Sequence, residues 1–98
     1  MARRRLLRIK HDRRDLGFFA TGVLEEDGRV GSWQLRLESP AEVEVFRDHL
    51  ASGSSMSLTM VTRDGDHLRG EAAVSTVSDS FESATVVTLA GLGPLRAA

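Results

Sequence analysis

The chain has 98 residues, with 13 Lys and Arg against 14 Asp and Glu, for a formal net charge of −1. A chain of this length builds one small core, burying roughly 60–70% of the surface it would expose unfolded, so 1–98 reads as a single domain. With no cysteine, a disulfide framework, a thiolate metal site and thiol redox chemistry are all excluded.

The balanced total hides an asymmetry. Residues 1–14 hold seven cations (Arg3, Arg4, Arg5, Arg8, Lys10, Arg13 and Arg14) against Asp12, a local charge of +6, which leaves −7 for residues 15–98. A basic strip on an acidic body suits a contact with nucleic acid or a self-complementary contact between copies. Its plainest reading is a solvated strand edge that deters edge-to-edge pairing. Arg3–Arg5, within residues 1–5, is expected to form a basic arm ahead of the first strand. Leu6-Leu7-Arg8-Ile9-Lys10 is charged within five residues, so neither an export signal nor a membrane-spanning run of roughly 18 residues is expected.

In chain order, Leu6–His11 alternates weakly and reads as a strand, and Leu16–Leu24 as a second, with Gly17 and Gly22 as bulge positions. Asp27-Gly28 is a tight-turn signal. The third strand alternates cleanly, with Trp33, Leu35 and Leu37 on one face and Gln34, Arg36 and Glu38 on the other. A helix is expected over about 39–52: Ser39 as N-cap, Pro40 in the first turn, Glu42 completing a capping box and Gly53 as the stop. Val43, Phe46 and Leu50 form its apolar stripe, with Glu42, Glu44, Arg47 and Asp48 in water. Ser55–Arg63 presents Met56, Leu58 and Met60 on one face, Asp64-Gly65 supplies a turn, and Leu68–Val77 and Ala84–Leu92 complete the strands. Val74, Thr76 and Val86 are expected to share a buried face with Trp33 and the three methionine-strand residues. The order β-β-β-α-β-β-β predicts a mainly β (α+β) fold, a small antiparallel β-sandwich or barrel with one flanking helix.

Catalytic patterns are missing. His11, His49 and His67 show no ligand spacing, so no metal is expected. The serines sit in no Gly-x-Ser-x-Gly elbow, and Gly53-Ser54-Ser55 reads as a loop after a helix end. Gly91-Leu92-Gly93 lacks the third glycine and the following helix of a dinucleotide loop, and Pro94 follows instead. Asp64-Gly65-Asp66 lacks the bidentate glutamate of a calcium loop. The basic segment carries no aromatic for stacking on bases, which leaves non-specific phosphate contact by Arg3–Arg5. The expectation is a non-enzymatic protein with no cofactor.

Gly70-Glu71-Ala72-Ala73-Val74-Ser75-Thr76-Val77, a polar turn, and Ala84–Leu95 running into Gly91-Leu92-Gly93-Pro94-Leu95 together resemble the closing strands of phage tail-tube proteins and their prophage relatives. The resemblance implies a β-sandwich flanked by one helix and a virion part that closes into homo-oligomeric rings with other virion proteins, cytoplasmic in the host before assembly and in the virion afterwards. The chain is shorter than most members of that family and has no long loop for stacking one ring on the next. Under this reading Arg3, Arg4, Arg5, Arg8 and Lys10 meet Glu42, Glu44 and Asp48 of a neighbouring copy, and Gly91 and Gly93 let the last strand pass close to that neighbour. The alternative is a small β-barrel that binds nucleic acid or a phosphate-containing ligand through its N-terminal arginines. An arginine-rich segment ahead of a β-barrel is similar to cyclic-dinucleotide receptor domains of the PilZ type, although Asp15-Leu16-Gly17 lacks the serine of their second motif.

Overall fold

The structure, a computed structural model, describes residues 2–16, 21–26, 32–78 and 85–98. Gly17, Phe18, Phe19, the Asp27-Gly28 turn and Phe81 lie outside the described residues. The strands are β1 (Ala2–His11), β2 (Arg14–Asp15), β3 (Thr21–Glu26), β4 (Trp33–Glu38), β5 (Met56–Thr62), β6 (His67–Ser78), β7 (Val86–Gly91) and β8 (Arg96–Ala97), with one helix, α1 (Val43–Ser52), between β4 and β5. All pairings are antiparallel. Neighbours run β1-β3-β4-β7-β6-β5 and return to β1, so six strands close a barrel.

Closure depends on β1 working twice. Ala2–Arg5 pairs with Glu26–Val23 of β3, and Leu6–His11 pairs with Thr62–Leu58 of β5, with a register shift between Leu6 and Arg8. A bulge bends a strand and increases its twist; here it lets one strand join two neighbours. Arg3–Arg5 therefore belongs to the sheet. The expected arm is corrected to an integral strand, because its backbone satisfies hydrogen bonds that a free arm would give to water.

Alternation builds the core where it was expected. Trp33, Leu35 and Leu37 are buried from β4, and Met56, Leu58 and Met60 from β5, against Leu6, Ile9, Leu16, Leu24, Val87 and Leu89. On β6 the period of two breaks. Ala72 and Val74 face inward, the register shifts between Val74 and Thr76, and Val77 then packs while Thr76 is exposed. Val87 opposite Val77 is the buried residue and Val86 is half-buried, so the expected inward set of Val74, Thr76 and Val86 is corrected after Val74. One extra residue in a strand moves all later side chains to the other face.

The helix also starts later than the capping box implies. Ser39 donates its backbone N–H to Thr85 O at 2.8 Å, extending the β4–β7 ladder, and turns the chain with φ 53°. It is still part of the sheet's edge, so it cannot cap, and Glu42 occupies the N-cap without a side-chain cap bond. The predicted stop holds: Gly53 adopts φ 73° and donates to His49 O at 2.9 Å. The helix meets the core through its first turns, with Phe46 fully buried and Val43 and Val45 packed beside it. Leu50, in the last turn, is 40% exposed, so the stripe is corrected from Val43–Phe46–Leu50 to Val43–Val45–Phe46.

At one end of the barrel, Trp33 lies flat on glycine backbone. A Cβ at Gly91 would sit 2.4 Å from the indole Cε2 and Nε1, and one at Gly70 would sit 2.8 Å from Cζ2. No side chain larger than hydrogen fits there. Gly93, by contrast, faces open space. Gly91→Ala is therefore predicted to cost about 1–3 kcal/mol through overpacking, lowering the melting midpoint by roughly 4–8 °C per kcal/mol. Gly93→Ala should stay within about 0.5 kcal/mol in the same thermal unfolding experiment.

Candidate anion-binding face

The outer face of β1, β5, β6 and β8 follows from the registers. Lys10 lies opposite Thr59, Thr59 opposite Arg69, and Arg69 opposite Arg96. Directly opposed residues on neighbouring antiparallel strands point to the same face, with Cβ atoms about 4.5–5.5 Å apart. One row thus crosses four strands and carries Lys10, Arg69 and Arg96 with a threonine hydroxyl between them. Arg69 and Arg96 are exposed, and Lys10 is half-buried. In the next row Arg8 lies opposite Val61 and Val61 opposite His67. Beyond the end of β5, Arg63 donates its backbone N–H to Arg5 O at 2.9 Å, which sets two exposed arginines beside the same β1–β5 seam.

Most of the N-terminal cations are neutralised within the chain. Arg4 is paired with Asp66, Arg3 Nη2 lies 4.0 Å from Glu25, Arg8 Nε lies 3.4 Å from Asp15, and Arg14 Nη2 lies 2.7 Å from Glu42. Among the described residues, Lys10, Arg69 and Arg96 have no such pair. Arg69 and Arg96 are also like charges directly opposed on adjacent strands, an arrangement that costs a few tenths to 1 kcal/mol when nothing lies between them. An anion bridging them would remove that repulsion.

The position of Arg96 depends on the segment before it. Leu92 donates to Glu71 O at 2.8 Å, continuing the β7–β6 ladder, and pairing resumes with Arg96 opposite Arg69. Gly93, Pro94 and Leu95 bow out opposite Gly70. The bow is pinned from inside: Trp33 Nε1 donates to Gly93 O at 2.6 Å, and Leu95 packs over Gly70. Outside it lies a recess of about 320 Å³ lined by Ser57, Arg69, Gly70, Glu71, Leu92, Gly93, Pro94 and Arg96. That volume is at the lower end of the range for small-molecule sites, roughly 300–1,000 Å³.

The structure distributes the sequence-predicted site residues widely. Arg3, Arg4, Arg5, Arg8 and Lys10 lie along β1, whereas Glu42, Glu44 and Asp48 lie around α1. Glu42 is engaged by Arg14, and Glu44 lies 3.6 Å from Arg47. Gly91 makes its close approach to Trp33 of its own chain, and Gly93 supplies the carbonyl that the indole holds. Of the proposed set, Lys10 stands in the cationic row and Gly93 in the recess. Arg69, Arg96 and Ser57 were missed, because only the long-range pairing of β5, β6 and β8 brings them beside Lys10.

Two histidines converge despite their separation in sequence. His11 and His49 stack edge to face with ring centroids 5.0 Å apart. Ser54 Oγ lies 3.1 Å from His49 Nδ1 and 2.7 Å from Ser52 Oγ, all at the exposed end of the helix. His49 Nδ1 also lies 3.3 Å from Ser54 O, so the contact closes the turn after Gly53. Among the described residues no cluster of three His, Cys, Asp or Glu could hold a metal ion, and no helix is long and apolar enough to cross a membrane.

No family model and no curated protein matches this chain. A crystal structure of a hypothetical protein from Staphylococcus aureus is similar, with a TM-score of 0.71 over 93% of this chain and 68% of that one, at 16% identity. The likeness is one of fold.

Trp33→Phe keeps an aromatic side chain but removes the indole's five-membered ring, and with it both the donor to Gly93 O and part of the packing against Gly91. The predicted loss is about 1–2 kcal/mol in urea unfolding. Hydrogen exchange should quicken at Leu92 and Arg96 and stay unchanged at the buried centre of β4.

Proposed function

We infer that this protein is a non-enzymatic binding module that holds the phosphate backbone of a nucleic-acid strand on the outer face of β1, β5, β6 and β8. The observation that supports it is the row Lys10–Thr59–Arg69–Arg96, whose three cations are unpaired among the described residues while most of β1's are neutralised. Arg5 and Arg63 extend the positive surface along the β1–β5 seam. Phosphate contacts of this kind give affinity and position without base reading, in keeping with rows that carry no Phe, Tyr or Trp among the described residues. The ring-forming virion role rests on the resemblance of Gly70–Leu95 and has weaker physical support. Its acidic partners Glu42 and Glu44 are engaged within the chain, and a closed barrel offers few open strand edges for heterologous contacts.

Titration of a labelled 12-nucleotide single strand by fluorescence anisotropy, repeated across salt, tests this reading. The triple variant Lys10→Gln, Arg69→Gln, Arg96→Gln should lose at least about a hundredfold in affinity. Its slope of log K against log salt should shrink by roughly 2, from about 0.7 per lost contact. Affinity and slope equal to those of the unmodified chain would refute the assignment, and concentration-dependent rings with no oligonucleotide binding would favour assembly instead.

A further inference from the structure

We propose that the recess at the end of the cationic row is a site for a nucleoside monophosphate. The inference rests on the phosphate-binding reading of the same face and goes further, because the recess has chemistry that a plain backbone contact does not need. Arg69 and Arg96 oppose each other on adjacent strands at its floor, and Ser57, opposite Glu71, adds a hydroxyl. Two guanidiniums and a hydroxyl match the charge and acceptor count of a phosphomonoester, close to −2 at neutral pH, better than the single charge of a phosphodiester. Arginine suits this role because its planar fork can bind two phosphate oxygens at once.

Glu71 is the second distinctive group. It is exposed, lies two residues from Arg69 on the same face of β6, and is unpaired among the described residues. In a site for phosphate alone, a carboxylate would only repel. In a site for a nucleotide it accepts hydrogen bonds from sugar hydroxyls, because an ionised carboxylate is an acceptor only. The rim supplies the third element. Leu92 is 57% exposed, and Pro94 is exposed beside it. Together they offer an apolar surface for the face of a base at the recess mouth. The wall that carries them is fixed from behind by the Trp33 Nε1 bond to Gly93 O, so the site is largely preformed.

Isothermal titration calorimetry on the full chain tests this with AMP, adenosine and ribose 5-phosphate, alongside the 12-nucleotide strand. AMP is expected to bind at least tenfold more tightly than adenosine and at least threefold more tightly than ribose 5-phosphate. Arg96→Gln should weaken AMP at least tenfold, with a thermal midpoint no lower than that of the unmodified chain and unchanged tryptophan emission showing that the variant is folded. Glu71→Gln separates the two readings: it should weaken AMP at least threefold while tightening the oligonucleotide, which merely loses a repulsive charge. AMP binding no tighter than adenosine, or unaffected by Arg96→Gln, would overturn the recess as a phosphate site. Equal affinity for AMP and ribose 5-phosphate would overturn the placement of the base on Leu92 and Pro94. A Glu71→Gln variant that tightens both ligands would overturn the sugar contact. Oligonucleotide binding that survives any of these failures leaves the cationic row standing, whereas loss of all binding would overturn both readings.

Discussion

The indole of Trp33 is the contact on which the rest of this molecule depends. It is 5% exposed, lies against the bare backbone of Gly70 and Gly91, and spends its one polar atom on Gly93 O. A buried Trp N–H needs a partner, and here the partner is the segment that must be shaped. Two strands, β6 and β7, come within contact of one aromatic face because neither has a side chain there. The carbonyl that the indole holds bows the chain outward past Gly70, and pairing then resumes at Arg69, two residues along β6 from Glu71. The barrel's last strand and the outer recess are thus two consequences of one buried ring.

Charge is organised by the same closure. The first fourteen residues look in sequence like a concentrated basic segment, but folded into β1 they meet carboxylates from the β5–β6 turn, from β2 and β3, and from the start of α1. Such partly exposed pairs contribute little stability each. Their larger effect is to cancel the local field, so the positive potential moves away from the N-terminal run toward cations contributed by three distant segments. Lys10, Arg69 and Arg96 are separated by more than twenty residues from one another, and only antiparallel registers through β5 align them.

That separation sets how much could be read from the sequence. Strand identity was legible where alternation is clean, as in Trp33–Leu35–Leu37 and Met56–Leu58–Met60, and so was the helix stop at Gly53, because these depend on near neighbours. The helix start was not, since Ser39 is claimed by a hydrogen bond to Thr85 that no local pattern announces. Nor was the inward set of β6, where one bulge reverses the parity after Val74. Gly91 is a position of close approach to the chain's own Trp33, whereas Gly93 faces open space and meets the indole only through its carbonyl, a contact that no local pattern announces. The basic strip was legible as composition, whereas its neutralisation and the row that replaces it are properties of tertiary pairing. His11 and His49 meet for the same reason: the end of β1 and the end of α1 are brought together only by the closed barrel.

The central claim is that Trp33, by holding Gly93, sets Arg96 opposite Arg69 and so makes the anion site. A double-mutant cycle on oligonucleotide affinity, combining Trp33→Phe with Arg96→Gln, measures this link directly, because a cycle isolates the coupling between two positions. The account predicts that Arg96→Gln weakens binding about tenfold in the unmodified chain and less than about twofold once Trp33 has lost its donor. Equal losses in both backgrounds would show that Arg96 finds its place without the indole and would contradict the account.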